Sequence, residues 1–302
     1  MMRAKVQALN STWNRNIQSS LNTKCNWKQI IMPSQDLVLT PFLKWAGGKR
    51  WLVQKYGSIL PKKFNRYIEP FLGGGSVYFY LKPKSAVLGD INSDLVSAYN
   101  GIKENWQSIQ RLLSIHQKKH CDEYYYSVRA SNPTCIIDRA ARFIYLNRTC
   151  FNGIYRVNLR GEFNVPRGSK NSVIQDTDNF EELSRVLSNA IIKTSDFETL
   201  VDLAQDGDLI FADPPYTVRH NLNGFIKYNE KLFSWDDQVR LANALFRARN
   251  RGAHIVLTNA NHESVRELYT ERDFDIETVS RYSSISAKSS SRSQYEEIVV
   301  QA

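Results

Sequence analysis

Four cysteines, Cys25, Cys121, Cys135 and Cys150, are all that a chain of 302 residues carries. None forms a CxxC pair and none has a histidine at zinc-finger spacing. The pattern argues against a disulfide scaffold and a cysteine-built metal site, and reduced thiols point to a cytoplasmic protein with no metal. Long apolar runs are missing too: no stretch approaches the roughly 18 residues that span a membrane, so no membrane association is expected. Acids are absent from the first 35 residues, which hold Arg3, Lys5, Arg15, Lys24 and Lys28. Such a lead fits a disordered basic arm, a transit peptide, or a reading frame begun upstream of a true start at Met32. Residues 1–38 are read as an N-terminal extension. There is no internal repeat and no long low-complexity segment.

What is present is ordinary globular material, 42% hydrophobic and 23% charged. The length suits one large domain or two. The formal net charge of +10 favours a polyanionic partner, because Lys and Arg release counterions from a phosphate backbone; a basic surface without a partner is the plainer alternative.

Periodicity gives the architecture. "FNRYIEPF" and "SAVLGD" read as short strands flanking the helical "SVYFYLK", the start of a βαβ unit. From about residue 92 to 190 the chain is polar and helical, interrupted by the turn-rich "NGIYRVNLRGEFNVPRGSKN". Apolar strands then return in "AIIKTSDF", "GDLIFADPPY", "AHIVLTNA" and "EEIVV", separated by helices such as "WDDQVRLANALFRARNRG". A parallel-type α/β sheet with a helical insert reconciles these signals.

Two stretches carry chemistry. "EPFLGGGS", at 69–76, lies between a strand and a helix, where glycines let backbone approach a ligand and a helix N-terminus favours an anionic group. It is neither GxGxxG nor a phosphate loop. Asp90 ends the next strand, where an acid binds ribose hydroxyls or simply caps a helix. "DPPY" follows an apolar run, at the strand end where ligands sit in open α/β sheets. A Pro-Pro pair also serves merely to stop a strand. Proline nonetheless fixes the backbone, so the Asp213 carboxylate and the Pro214 carbonyl both stand as acceptors beside the Tyr216 ring. That set suits an amino group on a planar base, stacked on Tyr216 and made nucleophilic toward an electrophilic methyl.

Together "FLKWAGGKR", "YIEPFLGGGSVYFYL", "LGDINSDLVSAYN", "YLNRTCFNGIYRVNLRGEFNVPRG" and "DPPY" resemble the Dam family of DNA adenine methyltransferases, which act on GATC. The resemblance runs from about residue 41 to the C-terminus, with five blocks in order. It implies a Rossmann-like class I methyltransferase sheet with an inserted, mostly helical target-recognition domain containing a β-hairpin. On that reading 39–94 and 191–302 form the catalytic domain and 95–190 the recognition domain. The implied enzyme is a monomer that uses S-adenosylmethionine, flips adenine out of double-stranded DNA and methylates its 6-amino group. The resemblance assigns Trp45, Lys49, Glu69, Pro70, Phe71, Gly73, Gly75, Ser76, Asp90, Asp196, Phe197 and Asp213 to the cofactor, the match at Asp196-Phe197 being short. It makes Asp213, Pro214 and Tyr216 catalytic.

Residues 139–170 hold seven basic side chains against one acid. By resemblance Arg156 reads the outer guanine, as a guanidinium fork fits O6 and N7, and Lys44 reaches another guanine. Ile154 and Pro166 match contacts to the thymine, and Phe151 and Asn152 the pair that wedges into the vacated stack. Arg160 and Arg167 read as phosphate contacts. Three segments depart from the family: the basic lead, "TVRHNLNGFIKYNE" at 217–230 and the Ser-rich "SSISAKSSSRSQYEE" at 283–297. Two rival readings are an RNA methyltransferase acting on an exocyclic amine and a non-catalytic DNA-binding protein on the same scaffold. The hairpin opposes the first, since A-form grooves exclude such a reader, and the intact "DPPY" and glycine loop oppose the second. Biological role stays open between replication-linked marking, restriction-modification and a mobile element.

Overall fold

Strands without a polar face must be covered on both sides, and three segments have that character. β1 (Tyr67–Glu69) and β4 (Leu209–Ala212) are buried throughout, and β2 (Ala86–Asp90) at all but its last position, as central parallel strands are. The computed structural model describes residues 39–158, 160–218, 233–282 and 294–302. The basic lead and most of the two segments at 217–230 and 283–297 lie outside the described residues. From Val38 to Ala302 the chain forms one compact unit.

β1 pairs in parallel with β2, Tyr67 opposite Ala86, and with β4, Tyr67 opposite Leu209. β3 (Ala190–Thr194) adds to β2 and forms an edge, where Ile191 is exposed. β5 (His254–Ala260) continues in parallel from β4, and β7 (Gln294–Gln301) runs antiparallel between β5 and β6 (Asp275–Tyr282). The order is β3-β2-β1-β4-β5-β7-β6, the Rossmann-like sheet expected from the sequence, with an antiparallel end in place of an all-parallel one. An apolar-run criterion does not find β6, because the apolar residues of "DIETVSRY" are isolated at Ile276 and Val279, three positions apart, so each face of the strand contributes only one of them to a core.

Helices cover both faces: α1 (Arg50–Tyr56), α2 (Ser76–Leu81), α3 (Ser93–Lys119), α4 (Asp122–Ala130), α5 (Ile136–Thr149), α6 (Phe180–Leu187), α7 (Phe197–Val201), α8 (Trp235–Asn250) and α9 (Glu263–Thr270). Successive strand residues point to opposite faces. Tyr67, Leu88, Phe211 and Val256 join one core with Leu95, Ile144 and Leu183 of the helical insert, while Ile68, Val87, Ile210 and Ile255 join another with Leu200, Leu245 and Val265 of α7, α8 and α9. The insert therefore shares the core under one face of the sheet. Within it α3 and α5 touch closely at Gly101, where a Cβ would stand 2.6 Å from that of Ala140. α3 starts at Asn92, whose side chain accepts from the Asp94 and Leu95 N–H groups, and breaks helical geometry at Asn105. Among the described residues no helix is long and apolar enough to cross a membrane.

The winding reverses between β1 and β4, so the carboxyl ends of both strands open on one crevice. This brings Glu69 and the glycine loop next to Asp213, although the two motifs are far apart in sequence.

Arg148, near the end of α5, is 1% exposed. Its guanidinium donates to both oxygens of Asp178 at 2.6 Å, to the Val173 carbonyl at 2.8 Å and to the Phe42 carbonyl at 2.9 Å. One buried charge thus fastens the strip before α1 to the segment before α6. Arg148→Ala should lower the unfolding free energy by about 3–5 kcal/mol, the cost of leaving a buried carboxylate without its cation, as read by urea denaturation.

Candidate active site

β1 ends at Glu69 and the chain turns through Gly73 (φ 45°) and Gly75 (φ 63°) into α2. Both take left-handed values that favour glycine. Space excludes a side chain as well, since a Cβ on Gly73 would lie 2.7 Å from Cδ1 of Trp45. Asp90, at the end of β2, braces the turn: its carboxylate accepts from the Gly73 N–H at 3.1 Å and the Asn92 N–H at 3.0 Å. Asn92 itself caps α3, so Asp90 is not that helix's cap. Burial raises the Asp90 carboxyl above its usual value, against the backbone donors of Asn92 and Gly73. The Tyr99 hydroxyl holds the turn from beneath, donating to the Gly73 carbonyl at 3.0 Å.

Beyond the turn Phe71 stacks on Phe197 at 5.4 Å between ring centres, and Phe233 meets both edge-on at 5.5 Å. Asp196 caps α7 through the Glu198 N–H and pairs with Arg240 at 3.0 Å, while that guanidinium lies over the Phe197 ring. Asp90, the glycine turn and this aromatic group line one side of the crevice with the donor and acceptor types that a nucleoside-bearing cofactor needs. Trp45, Gly48, Gly74 and Ser76 border a cavity of about 210 Å³ with Pro41, Leu43, Lys44 and Arg50.

On the other side stands Asp213. Lys49 reaches it from the N-terminus of α1, its Nζ 2.8 Å from Oδ1, 2.9 Å from the Gly47 carbonyl and 3.6 Å from Oε2 of Glu297. The Thr258 hydroxyl also donates to Oδ1, at 2.8 Å. Both donors take the same oxygen, so Oδ2 keeps acceptor capacity. The Tyr216 ring lies 4.9 Å from Lys49 Nζ, and its hydroxyl donates to Oε2 of Glu297 at 2.7 Å. Burial raises the Asp213 carboxyl, with Lys49 opposing it; burial also raises the Tyr216 phenol well above its usual range, and Asp213 and Glu297 add to the effect. Glu69 is pushed far up by burial, even with the Tyr67 hydroxyl donating to it at 2.9 Å. Pro214 is buried and Pro215 half-buried.

Lys49, Asp213 and Tyr216 therefore come together, as do Gly73 with Asp90 and Phe71 with Phe197. Glu297, Thr258 and Phe233 are the members that motif reading passes over. A signal existed for the first: an acid on the inward side of "EEIVV" has no reason to be there unless it is paired.

The recognition segment begins where α5 ends. Asn147 clasps the backbone of Lys44, accepting from its N–H at 2.9 Å and donating to its carbonyl at 2.8 Å. Phe151 and Ile154 are 53% and 45% exposed, and Asn152 takes φ 55° between them. The hairpin is short: among the described residues its antiparallel bridges are Val157 to Phe163, beside the Asn158–Glu162 hydrogen bond, and Cys150 to Arg167 at its base. Tyr155 stacks on Trp45 at 5.9 Å, joining the hairpin to the glycine turn. Arg156 is exposed, and its Nε donates to Oδ1 of Asn164 at 2.8 Å. Arg160 pairs with Glu162 on the open surface, where such pairs are worth little. Pro166 is exposed and accepts from the Phe151 N–H; Arg167 is tied to Asp122 at 2.7 Å and to Asn171. The basic count of the segment overstates its free charge: Arg148 is buried, Arg139 pairs with Asp94, and Arg142 donates to the Val128 and Arg129 carbonyls. Among the described residues no group of three His, Cys, Asp or Glu is gathered to hold a metal.

A family model described as D12 class N6 adenine-specific DNA methyltransferase matches residues 45–285. The chain is 39% identical to the type II methyltransferase M1.LlaDCHI of Lactococcus lactis subsp. cremoris, over 89% of this chain and 98% of that protein. It is 37% identical to the type II methyltransferase M.MjaIII of Methanocaldococcus jannaschii, over 83% and 94%. With the DNA adenine methylase of Escherichia coli K12 it shares 32% identity, over 85% and 93%.

Burial, then the neighbouring Lys170, lowers the Lys44 ammonium to about 8. Lys44 is then charged below that pH and loses its charge above it. Lys170→Ala removes the like charge and should move the titration upward, as read by NMR of Cε-labelled lysine; DNA affinity should fall with rising pH at a higher pH in the variant than in the wild type.

Proposed function

Because the chain belongs to the D12 class N6 adenine-specific DNA methyltransferase family, we propose that it methylates the 6-amino group of an adenine flipped out of duplex DNA, at GATC, with S-adenosylmethionine as donor. The observation that carries this reading is the Asp213 carboxylate, with one oxygen fixed by Lys49 and Thr258 and the other left to accept, beside the Tyr216 ring.

The residues present fit the donor. Left-handed glycines at 73 and 75 bring backbone close, Asp90 stands where ribose hydroxyls are bound, and Phe71 and Phe197 give an apolar flank. Glu69, Pro70, Ser76, Trp45 and Lys49 would border the methionine side, and Asp196 the adenine. When bound, S-adenosylmethionine supplies an electrophilic methyl group on a sulfonium. The chain's own part is to prepare the nucleophile. Oδ2 of Asp213 and the Pro214 carbonyl accept from the adenine amino group, which directs its lone pair away from the ring. Tyr216 gives the base a face to stack on in place of its lost neighbours. As the nitrogen gains its fourth bond it becomes cationic, the Asp213 carboxylate stabilises that charge in a site poor in water, and one N–H proton then leaves the nitrogen, through Asp213 to solvent, to give the neutral methylated amine.

Specificity falls to the hairpin. With its Nε held by Asn164, Arg156 presents the two terminal nitrogens as the fork that guanine O6 and N7 accept. Phe151 and Asn152 would fill the vacated stack, Ile154 and Pro166 meet the thymine, Lys44 read a guanine, and Arg160 and Arg167 touch phosphate. Residues 95–190 would form the recognition domain on a catalytic domain of 39–94 and 191–302, acting as a cytoplasmic monomer.

The test is methyl transfer to duplexes carrying GATC, to duplexes with each base of the site substituted once, and to structured RNA. Transfer to GATC duplexes alone is expected, and equal transfer to RNA would reject the reading. Asp213→Ala should lower turnover about a hundredfold or more, the size of effect seen when a transition-state acceptor is lost, while calorimetric affinity for the cofactor largely survives. Retention of a tenth of the rate would contradict its role. Arg156→Ala should cost about tenfold to a hundredfold of discrimination at the outer guanine and leave the adenine strict; equal slowing on every duplex would make it a backbone contact.

A further inference from the structure

Glu297 belongs to none of the sequence blocks that define the site, yet it is a carboxylate only 3% exposed in the middle of β7, next to the fully buried Ile298, Val299 and Val300. It shares a sheet face with Val299, which packs into the core beneath the helical insert, and a hydrocarbon at 297 would continue that face with no desolvation cost. Instead the acid accepts the Tyr216 hydroxyl at 2.7 Å and stands 3.6 Å from the Lys49 ammonium. Among its neighbours are thus the ring expected to stack on the target base and the cation that fixes Asp213.

We propose that Glu297 is a positioning residue for methyl transfer, which sets the rotation of the Tyr216 ring and the place of Lys49 so that the stacking face and Oδ2 of Asp213 meet the adenine together. The proposal rests on the methyl-transfer reading above. A phenol ring turns about its own axis and swings about its first side-chain torsion; a hydroxyl bonded to a buried charged acceptor removes the swing. A lysine side chain has four torsions, and Lys49 is held by three acceptors: Oδ1 of Asp213, the Gly47 carbonyl and Glu297. Without Glu297 the ammonium would be shared between Asp213 and the Gly47 carbonyl alone, drawing more on Asp213 and weakening that carboxylate as an acceptor for the substrate amine.

The experiment uses the full chain as wild type, Glu297→Gln, Tyr216→Phe and the double variant, with GATC duplex and S-adenosylmethionine. Glutamine keeps the shape and removes the charge, so packing is retained. For Glu297→Gln, kcat should fall by about tenfold to a hundredfold, the rate equivalent of one hydrogen bond to a charged group. KM for DNA, calorimetric cofactor affinity and the thermal midpoint should stay at wild-type values. Tyr216→Phe should lose a similar factor, and the double variant should be no slower than the slower single, because the Tyr216 hydroxyl acts only through its charge-assisted bond to the same carboxylate, which glutamine weakens and phenylalanine removes. Wild-type kcat in Glu297→Gln, or losses that multiply in the double variant, would overturn the positioning role while leaving the enzyme's activity established. No transfer by the wild type would overturn the parent reading, and the positioning role with it.

Discussion

Carboxylates crowd the crevice where the sheet reverses, and the buried Lys49 ammonium is the charge that lets them do so. Asp213 lies 2.8 Å from it and Glu297 3.6 Å, while Glu69 stands buried nearby and is raised partly by Asp213 itself. Negative groups this close, taken out of water, repel one another and favour protonation. Lys49 opposes that tendency at Asp213, the carboxylate that would polarise the amine in the proposed reaction.

The short strip from Lys44 to Lys49 makes this arrangement sensitive to the recognition segment. Asn147 clasps its first residue by the backbone, Trp45 stacks on Tyr155 of the hairpin and covers Gly73 of the turn, and its last residue is the buried lysine. The hairpin and the buried cation of the crevice are thus joined within six residues, and Arg148 fixes the approach to the strip through the Phe42 carbonyl. A change at the hairpin base has a direct mechanical route to Asp213.

Part of the molecule is legible from local pattern. Apolar runs such as "LIFA" mark central strands because a parallel strand must be apolar on both faces, and the glycines of "EPFLGGGS" sit where left-handed backbone is needed. β6 is not legible in the same way, since its few apolar residues are split between its two faces and make neither a run nor an alternation. The charge of the recognition segment misleads for a related reason. A basic residue in a sequence looks free, and whether it is free depends on what packs on it: Arg148 is consumed by the core and Arg139 by Asp94, whereas Arg156 and Arg160 stay at the surface.

The sequence by itself determined the class of fold, the order of the cofactor loop, recognition segment and "DPPY", and the family to which they belong, because strand periodicity, glycine geometry and motif chemistry act over a few residues. Only the tertiary structure decided which groups share the crevice. Tyr216 finds Glu297 81 positions away and Asp213 finds Thr258 45 positions away, the first delivered by β7, two strands from β4, and the second by the adjacent β5. A buried charge is defined by its partners, and strand order, which no local pattern encodes, chooses them.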